Sequence, residues 1–119
     1  MKVLVVEDNA HMQALLCDAL KNHFGHKIEI VIAKNLSEAN LAKAEHLHST
    51  DLILMDSSLG GGEHTFELIK DLSTVYEGLM VAMSLEIAKH QAMLECGCTH
   101  ACEKTNIPWF LSREYSTGM

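Results

Sequence analysis

Proline is nearly missing from this chain: one in 119 residues, alongside seven glycines. So little of either excludes a long linker or a low-complexity stretch. No apolar run reaches the roughly 18 residues that a membrane-spanning helix needs. The opening Met-Lys-Val-Leu-Val-Val-Glu-Asp is short and turns acidic too early for a signal peptide, so a cytoplasmic protein is expected. Basic residues are scarce too. Nine Lys and Arg against sixteen Asp and Glu leave a formal charge of −7. That balance excludes a domain that grips a nucleic-acid backbone, which needs clustered cations. It is compatible with a divalent-cation site, and with solubility alone.

Familiar zinc spacings are also lacking. Cys96, Cys98 and Cys102 form C-x-C-x3-C rather than C-x2-C. Together with Cys17, in an apolar helical pattern, they are expected to be packed, reduced thiols. The eight histidines contain no H-x3-H pattern. His11, His23, His26, His46, His48, His64 and His90 are read as solvated surface residues. No G-x-S-x-G elbow or Cys-His pair supports a hydrolase. A flavin-binding domain of similar topology would need a phosphate-binding loop after the first strand, where Glu7 and Asp8 stand instead.

What is present is a regular alternation of apolar runs and amphipathic stretches, with 48% hydrophobic residues to build one core. Residues 2–6 read as a strand buried on both faces. A helix is expected from about Asn9, with Met12, Leu15, Leu16, Ala19 and Leu20 as its buried stripe and Gly25 at its end. Strand two is placed at 27–33, then a helix over 35–46 with Asn35 and Glu38 in a capping-box arrangement. Strand three covers 51–55. Gly60, Gly61 and Gly62 predict a flexible loop, followed by a helix with Phe66, Ile69, Leu72 and Val75 or Tyr76 inward. Strand four lies at 79–83, a helix at 85–95 stops at Gly97, and strand five lies at 98–103. Pro108 opens the last helix, where Trp109 and Phe110 are expected to pack on the sheet. The pattern is α/β: a single (βα)5 domain over 1–119, doubly wound, with a parallel five-stranded sheet and helices on both faces. It either stands alone or is one module of a longer protein.

In such sheets ligands bind beyond the carboxyl ends of the strands. Glu7 and Asp8 end strand one, Asp56 strand three, Ser84 strand four, and Lys104 lies at the end of strand five. Each has a bland reading as a turn residue, a helix cap or a solvated charge. Asp8 or Ser84 would cap a helix, and Glu7 would be an exposed loop residue. Their joint placement favours chemistry. Clustered carboxylates invite a cation, and Mg²⁺ prefers oxygen ligands. A carboxylate can act as a nucleophile toward phosphorus, and an ammonium and a hydroxyl can stabilise the charge on a transferring phosphoryl.

These residues resemble the response-regulator receiver family, and the resemblance covers the whole chain. Val3-Leu-Val-Val-Glu-Asp-Asn9 is similar to that family's first strand and acidic pair. Asp51-Leu-Ile-Leu-Met-Asp56 is similar to its third strand and phosphorylated Asp, Val81-Ala-Met-Ser84 to its fourth strand, and Lys104 to the Lys that ends its fifth. The resemblance implies a flavodoxin-like sheet of strand order 2-1-3-4-5. It implies phosphoryl transfer to Asp56 from a sensor histidine kinase, a phosphotransfer protein or a small phosphodonor. It implies Mg²⁺ held by Asp8, Asp56 and the Ser58 backbone carbonyl, with Glu7 acting through water and Ser84 and Lys104 on the phosphoryl oxygens. Such a chain is a signalling phosphoacceptor rather than an enzyme, and it switches the face made by helix four, strand five and helix five for a downstream partner. Departures concentrate away from the acceptor residues. Lys104 is followed by Thr105 rather than Pro, so its loop is expected to take another course. Ala101 replaces the family's switch aromatic, Leu85 replaces a small residue and can narrow access to Asp56, and Gly60-Gly-Gly62 replaces a loop containing Pro. The rival reading is a receiver-like interaction module that works without phosphorylation.

Overall fold

The computed structural model describes residues 1–115. Residues 2–6 form β1 (Lys2–Val6), and Asn9 caps α1 (Ala10–Phe24) by accepting the Met12 N–H on its side-chain oxygen. The cap is therefore Asn9, not Asp8. β2 (Glu29–Ala33) starts two residues later than expected, because Ile28 N–H closes a turn onto the Gly25 carbonyl. Asn35 caps α2 (Leu36–His46) through the Glu38 N–H, while the Glu38 carboxylate accepts from Lys34 N–H. This is a capping box displaced by one residue.

β3 (Leu52–Asp56) runs one residue beyond its expected end and is buried along its whole length. The glycine segment is not a loose loop. It is the tip of a small antiparallel hairpin, β4 (Ser58–Leu59) and β5 (Glu63–His64), with Gly61 at φ 80° and Gly62 at φ 81°. Glycine alone takes these angles without strain, so the residues that suggested mobility are the ones the tight tip requires. α3 (Phe66–Ser73) follows, then β6 (Leu79–Met83) at its expected bounds, α4 (Ile87–Cys96), β7 (His100–Cys102) and α5 (Ile107–Glu114) with Pro108 in its first turn. β7 is shorter than expected. Cys98 N–H closes the end of α4 onto the Met93 carbonyl and so is withdrawn from the strand.

The main sheet is parallel throughout, in the order β2-β1-β3-β6-β7, which is the expected 2-1-3-4-5. Side chains alternate between two cores, as the strand period demands. Leu4, Val6, Ile53, Met55, Met80 and Ala82 share one core with buried residues of α2, α3 and α4. Val3, Val5, Leu52, Leu54, Val81 and Met83 share the other with α1 and α5. Each fully buried Leu or Met contributes about 1.5–3 kcal/mol relative to exposure, so these two layers set the register.

The helix stripes need several corrections. Leu15 is 48% exposed at the outer edge of α1, whereas Leu16 and Leu20 are buried. In α3 Leu68 joins Ile69 and Leu72 inside. Past its end Tyr76 packs inward while Val75 is exposed. Phe110 packs on the sheet, but Trp109 is 59% exposed with the Arg113 guanidinium 4.8 Å from its ring. Three of the histidines expected at the surface are half-buried. His23 bonds the Tyr115 carbonyl, His46 accepts from Lys2 Nζ, and His90 bonds the Ser84 carbonyl. All four cysteines are free thiols, with Cys98 and Cys102 buried. Among the described residues no helix is long and apolar enough to cross a membrane.

Candidate functional site

The carboxyl ends of β1, β3 and β6 open into a crevice of about 290 Å³, lined among others by Asp8, Asp56, Ser58, Ser84, Leu85 and Lys104. Lys104 lies just past β7, in a short turn closed by Asn106 N–H on the Glu103 carbonyl, and all described peptide bonds are trans. Without a following proline the chain still brings the ammonium inward. Lys104 Nζ donates to Asp56 Oδ2 at 3.1 Å and lies 2.8 Å from Glu7 Oε1. The second contact is an ion pair rather than an aligned hydrogen bond, since Glu7 Oε1 is shielded and has no hydrogen-bond partner.

Glu7 is fully buried, not an exposed loop residue. Its other oxygen, Oε2, accepts from Asn9 N–H at 3.2 Å. Burial pushes its carboxyl pKa up, Lys104 opposes this, and the Asp56 carboxylate adds to it. Burial alone would lower the Lys104 pKa, but Glu7 and Asp56 together carry it above its usual value. Both directions describe one ammonium shared by two carboxylates at the floor of the crevice.

Asp56 is itself buried, with Oδ1 accepting the Ser57 N–H at 2.7 Å. Asp8 is exposed at the crevice edge. One carboxylate oxygen each from Glu7, Asp8 and Asp56 lie within 4.8 Å of one another. Three carboxylates against one ammonium leave local negative charge, and the donors are all oxygen, which fits a hard divalent cation such as Mg²⁺. Two further features suit a cation there. Glu7 Oε1 is buried with the Lys104 ammonium as its close partner and keeps a lone pair for a second, and Gly60 approaches so closely that a Cβ on it would stand 3.3 Å from Asp8 Oδ2.

Ser84 is buried, and its hydroxyl accepts from Glu86 N–H at 3.1 Å, so it does serve as a turn acceptor before α4. Its hydroxyl proton remains available to a ligand. Leu85 lines the crevice but is 65% exposed, turned largely to solvent. Thus Asp8, Asp56, Ser58, Ser84 and Lys104 line one crevice at the carboxyl ends of the strands, with Glu7 joined to it through Lys104.

Two residues went unread in the sequence. Thr65, fully buried, donates its hydroxyl to the Asp56 carbonyl at 2.6 Å and reaches the Ser57 carbonyl at 3.1 Å. His90 Nε2 lies 2.8 Å from the Ser84 carbonyl. A Thr just before an apolar run reads as a helix cap, and a His among polar residues reads as surface, so neither carried a signal toward the site.

Solved structures share this architecture from end to end. The BeF3-activated N-terminal receiver domain of RstA from Klebsiella pneumoniae is 25% identical, with a TM-score of 0.77 over 97% of this chain and 95% of that one. The chain has the fold of the response-regulator receiver domains. The phosphorylated cyanobacterial phytochrome response regulator RcpA superposes with a TM-score of 0.79 at 18% identity, covering 99% of this chain and 96% of that one. The signal receiver domain of a DNA-binding response regulator from Colwellia psychrerythraea gives 0.77 at 18% identity, over 98% and 99%. No family model and no curated protein matches the chain.

Proposed function

We propose that this receiver-fold domain accepts a phosphoryl group on Asp56, taken from a phosphohistidine of a sensor histidine kinase or phosphotransfer protein, or from a small phosphodonor. One observation carries the reading: Lys104 Nζ stands between the carboxylates of Asp56 and Glu7 in an open crevice, with Asp8 beside them. A structural ion pair alone would not need a third carboxylate within 4.8 Å.

An Asp56 carboxylate oxygen attacks phosphorus, the bond from phosphorus to the donor atom breaks, and a mixed acyl phosphate remains on Asp56. Ser57 N–H, already on Oδ1, orients the carboxylate. Lys104 follows the negative charge onto the phosphoryl oxygens, and the Ser84 hydroxyl donates to another of them. Asp8, Asp56 and the Ser58 carbonyl would hold Mg²⁺, with Glu7 acting through a bound water. The cation would neutralise the clustered carboxylates and the charge of the incoming phosphoryl. The domain is a phosphoacceptor that assists its own modification, and it works in the reducing cytoplasm, where its four thiols stay free.

The test is intact-protein mass after incubation with acetyl phosphate and Mg²⁺, beside Asp56→Asn and a metal-free control. One added phosphoryl that requires both Asp56 and the metal is expected. No addition, with Mg²⁺ binding confirmed separately, would sink the acceptor role. It would favour the interaction module working without phosphorylation, for which Ala101 and the exposed Trp109 on the face of β7 and α5 speak.

A further inference from the structure

Thr65 occupies the cap position of α3 yet makes no capping bond there. A Thr in that place ordinarily accepts an N–H of the first turn, worth about 1 kcal/mol. Here the hydroxyl turns backward instead. It donates to the Asp56 carbonyl at 2.6 Å and lies 3.1 Å from the Ser57 carbonyl, which also accepts the Thr65 N–H at 3.1 Å. Two consecutive carbonyls at the end of β3 are thus held by one fully buried residue.

The next carbonyl belongs to Ser58. Ser58 faces His64 across the hairpin, and the Thr65 N–H bond to Ser57 makes this a non-hydrogen-bonded pair. At such a position the residue's own N–H and C=O point away from the partner strand. The hairpin therefore leaves the Ser58 carbonyl unused by its ladder, at a residue that lines the crevice. The far arm is fixed as well, since Glu63 Oε1 accepts the Leu36 N–H at the start of α2 at 3.1 Å. The glycine tip lets this strap close within three residues, and Gly60 passes directly beside Asp8.

We infer that Thr65 is a positioning residue for the divalent cation of the acceptor site: its hydroxyl locks the Asp56–Ser57 backbone so that the hairpin presents the Ser58 carbonyl to the cation. The inference rests on the metal-assisted reading of Asp56 and adds to it the device that replaces a proline in the loop. Removing the hydroxyl frees the Asp56 carbonyl and leaves the Ser57 carbonyl on the Thr65 N–H alone, so the Ser58 carbonyl loses its aim. Serine keeps the hydroxyl and should keep the alignment.

The experiment is a Mg²⁺ titration of the full chain followed calorimetrically, for the unaltered protein, Thr65→Val and Thr65→Ser, well below each melting temperature. Thr65→Val should weaken Mg²⁺ about tenfold, as loss of a residue supporting a metal ligand typically does, while Thr65→Ser stays within about twofold. Equal affinity in Thr65→Val would overturn the inference and leave the acceptor reading standing. No Mg²⁺ binding by the unaltered protein would overturn both. A second measurement needs no variant: the Ser58 carbonyl ¹³C resonance should move on adding Mg²⁺. An unmoved resonance, with binding shown by Asp8 and Asp56, would also overturn the inference.

Discussion

One ammonium serving several carboxylates makes the site a place where single charges have opposite effects. Lys104 Nζ contacts Glu7 and Asp56, and Asp8 adds a third negative group nearby. Replacing Asp56 by Asn removes one repelling charge and keeps an acceptor for Lys104. In the absence of metal this should raise stability by about 0.5–1 kcal/mol, a surface-scale charge effect rather than a buried one, since the crevice is open. Replacing Lys104 by Met leaves the fully buried Glu7 without its counter-ion. The cost should be about 2 kcal/mol, below the 3–5 typical of a broken buried pair because Asp56 borders the crevice and water can enter. Urea unfolding of both variants at low salt without divalent cations checks the signs. Two shifts of the same sign would show that the cluster is not charge-frustrated.

At the level of elements, α3 and α4 meet where Gly97 ends α4 with φ 133°. A Cβ there would collide with the Ser73 side chain, in a backbone region that L-residues rarely adopt. Gly97→Ala should therefore cost about 2–4 kcal/mol, the sum of a left-handed penalty and a clash that moves two helices. A denaturation midpoint within experimental error of the unaltered protein would refute it. Cys98, the next residue, is buried against α3 and α4, and burial pushes its thiol up to about 12 from 9.0. The folded chain holds that proton while the unfolded chain releases it. The contribution to stability is complete below pH 9 and falls as the pH climbs toward 12. About 2 kcal/mol should be lost between pH 9 and about pH 10.5, and Cys98→Ala should lack this part of the slope. Urea midpoints measured across that window for the two proteins, with parallel slopes as the contrary result, decide it.

At the scale of the whole molecule, parity explains why so much was legible. Glu7 follows the odd positions Val3 and Val5, and Asp56 the even positions Leu52 and Leu54, which face the α1–α5 core, while Lys104 comes in the turn just past Cys102 of that same core. Strands buried on both faces must end in register, so the residue after each apolar run is delivered to one end of the sheet. Strand order and the meeting of Glu7, Asp56 and Lys104 were therefore readable from apolar runs and the residues that end them. The hairpin was not, because two-residue strands around three glycines have no period to read. Nor was the role of Thr65, whose partners are backbone atoms eight and nine residues away. Leu15 and Trp109 were misjudged because an apolar side chain on a helix does not reveal how far the neighbouring helix extends. The convergence has a global consequence. A ligand that binds only the folded arrangement stabilises all of it by mass action, and at about 100 times its dissociation constant the gain is about 2.7 kcal/mol. The three carboxylates come from the two residues after β1 and the last residue of β3, a constellation the unfolded chain cannot assemble. Saturating Mg²⁺ should thus raise the midpoint of the single unfolding transition. The rise should shrink in Asp8→Asn and in Asp56→Asn, and equal ionic strength of NaCl should not reproduce it. Calorimetric scans of the three proteins in Mg²⁺ and in NaCl make the comparison. An identical rise in all three would mean that the cation acts by screening the net charge of −7 and not at the end of the sheet.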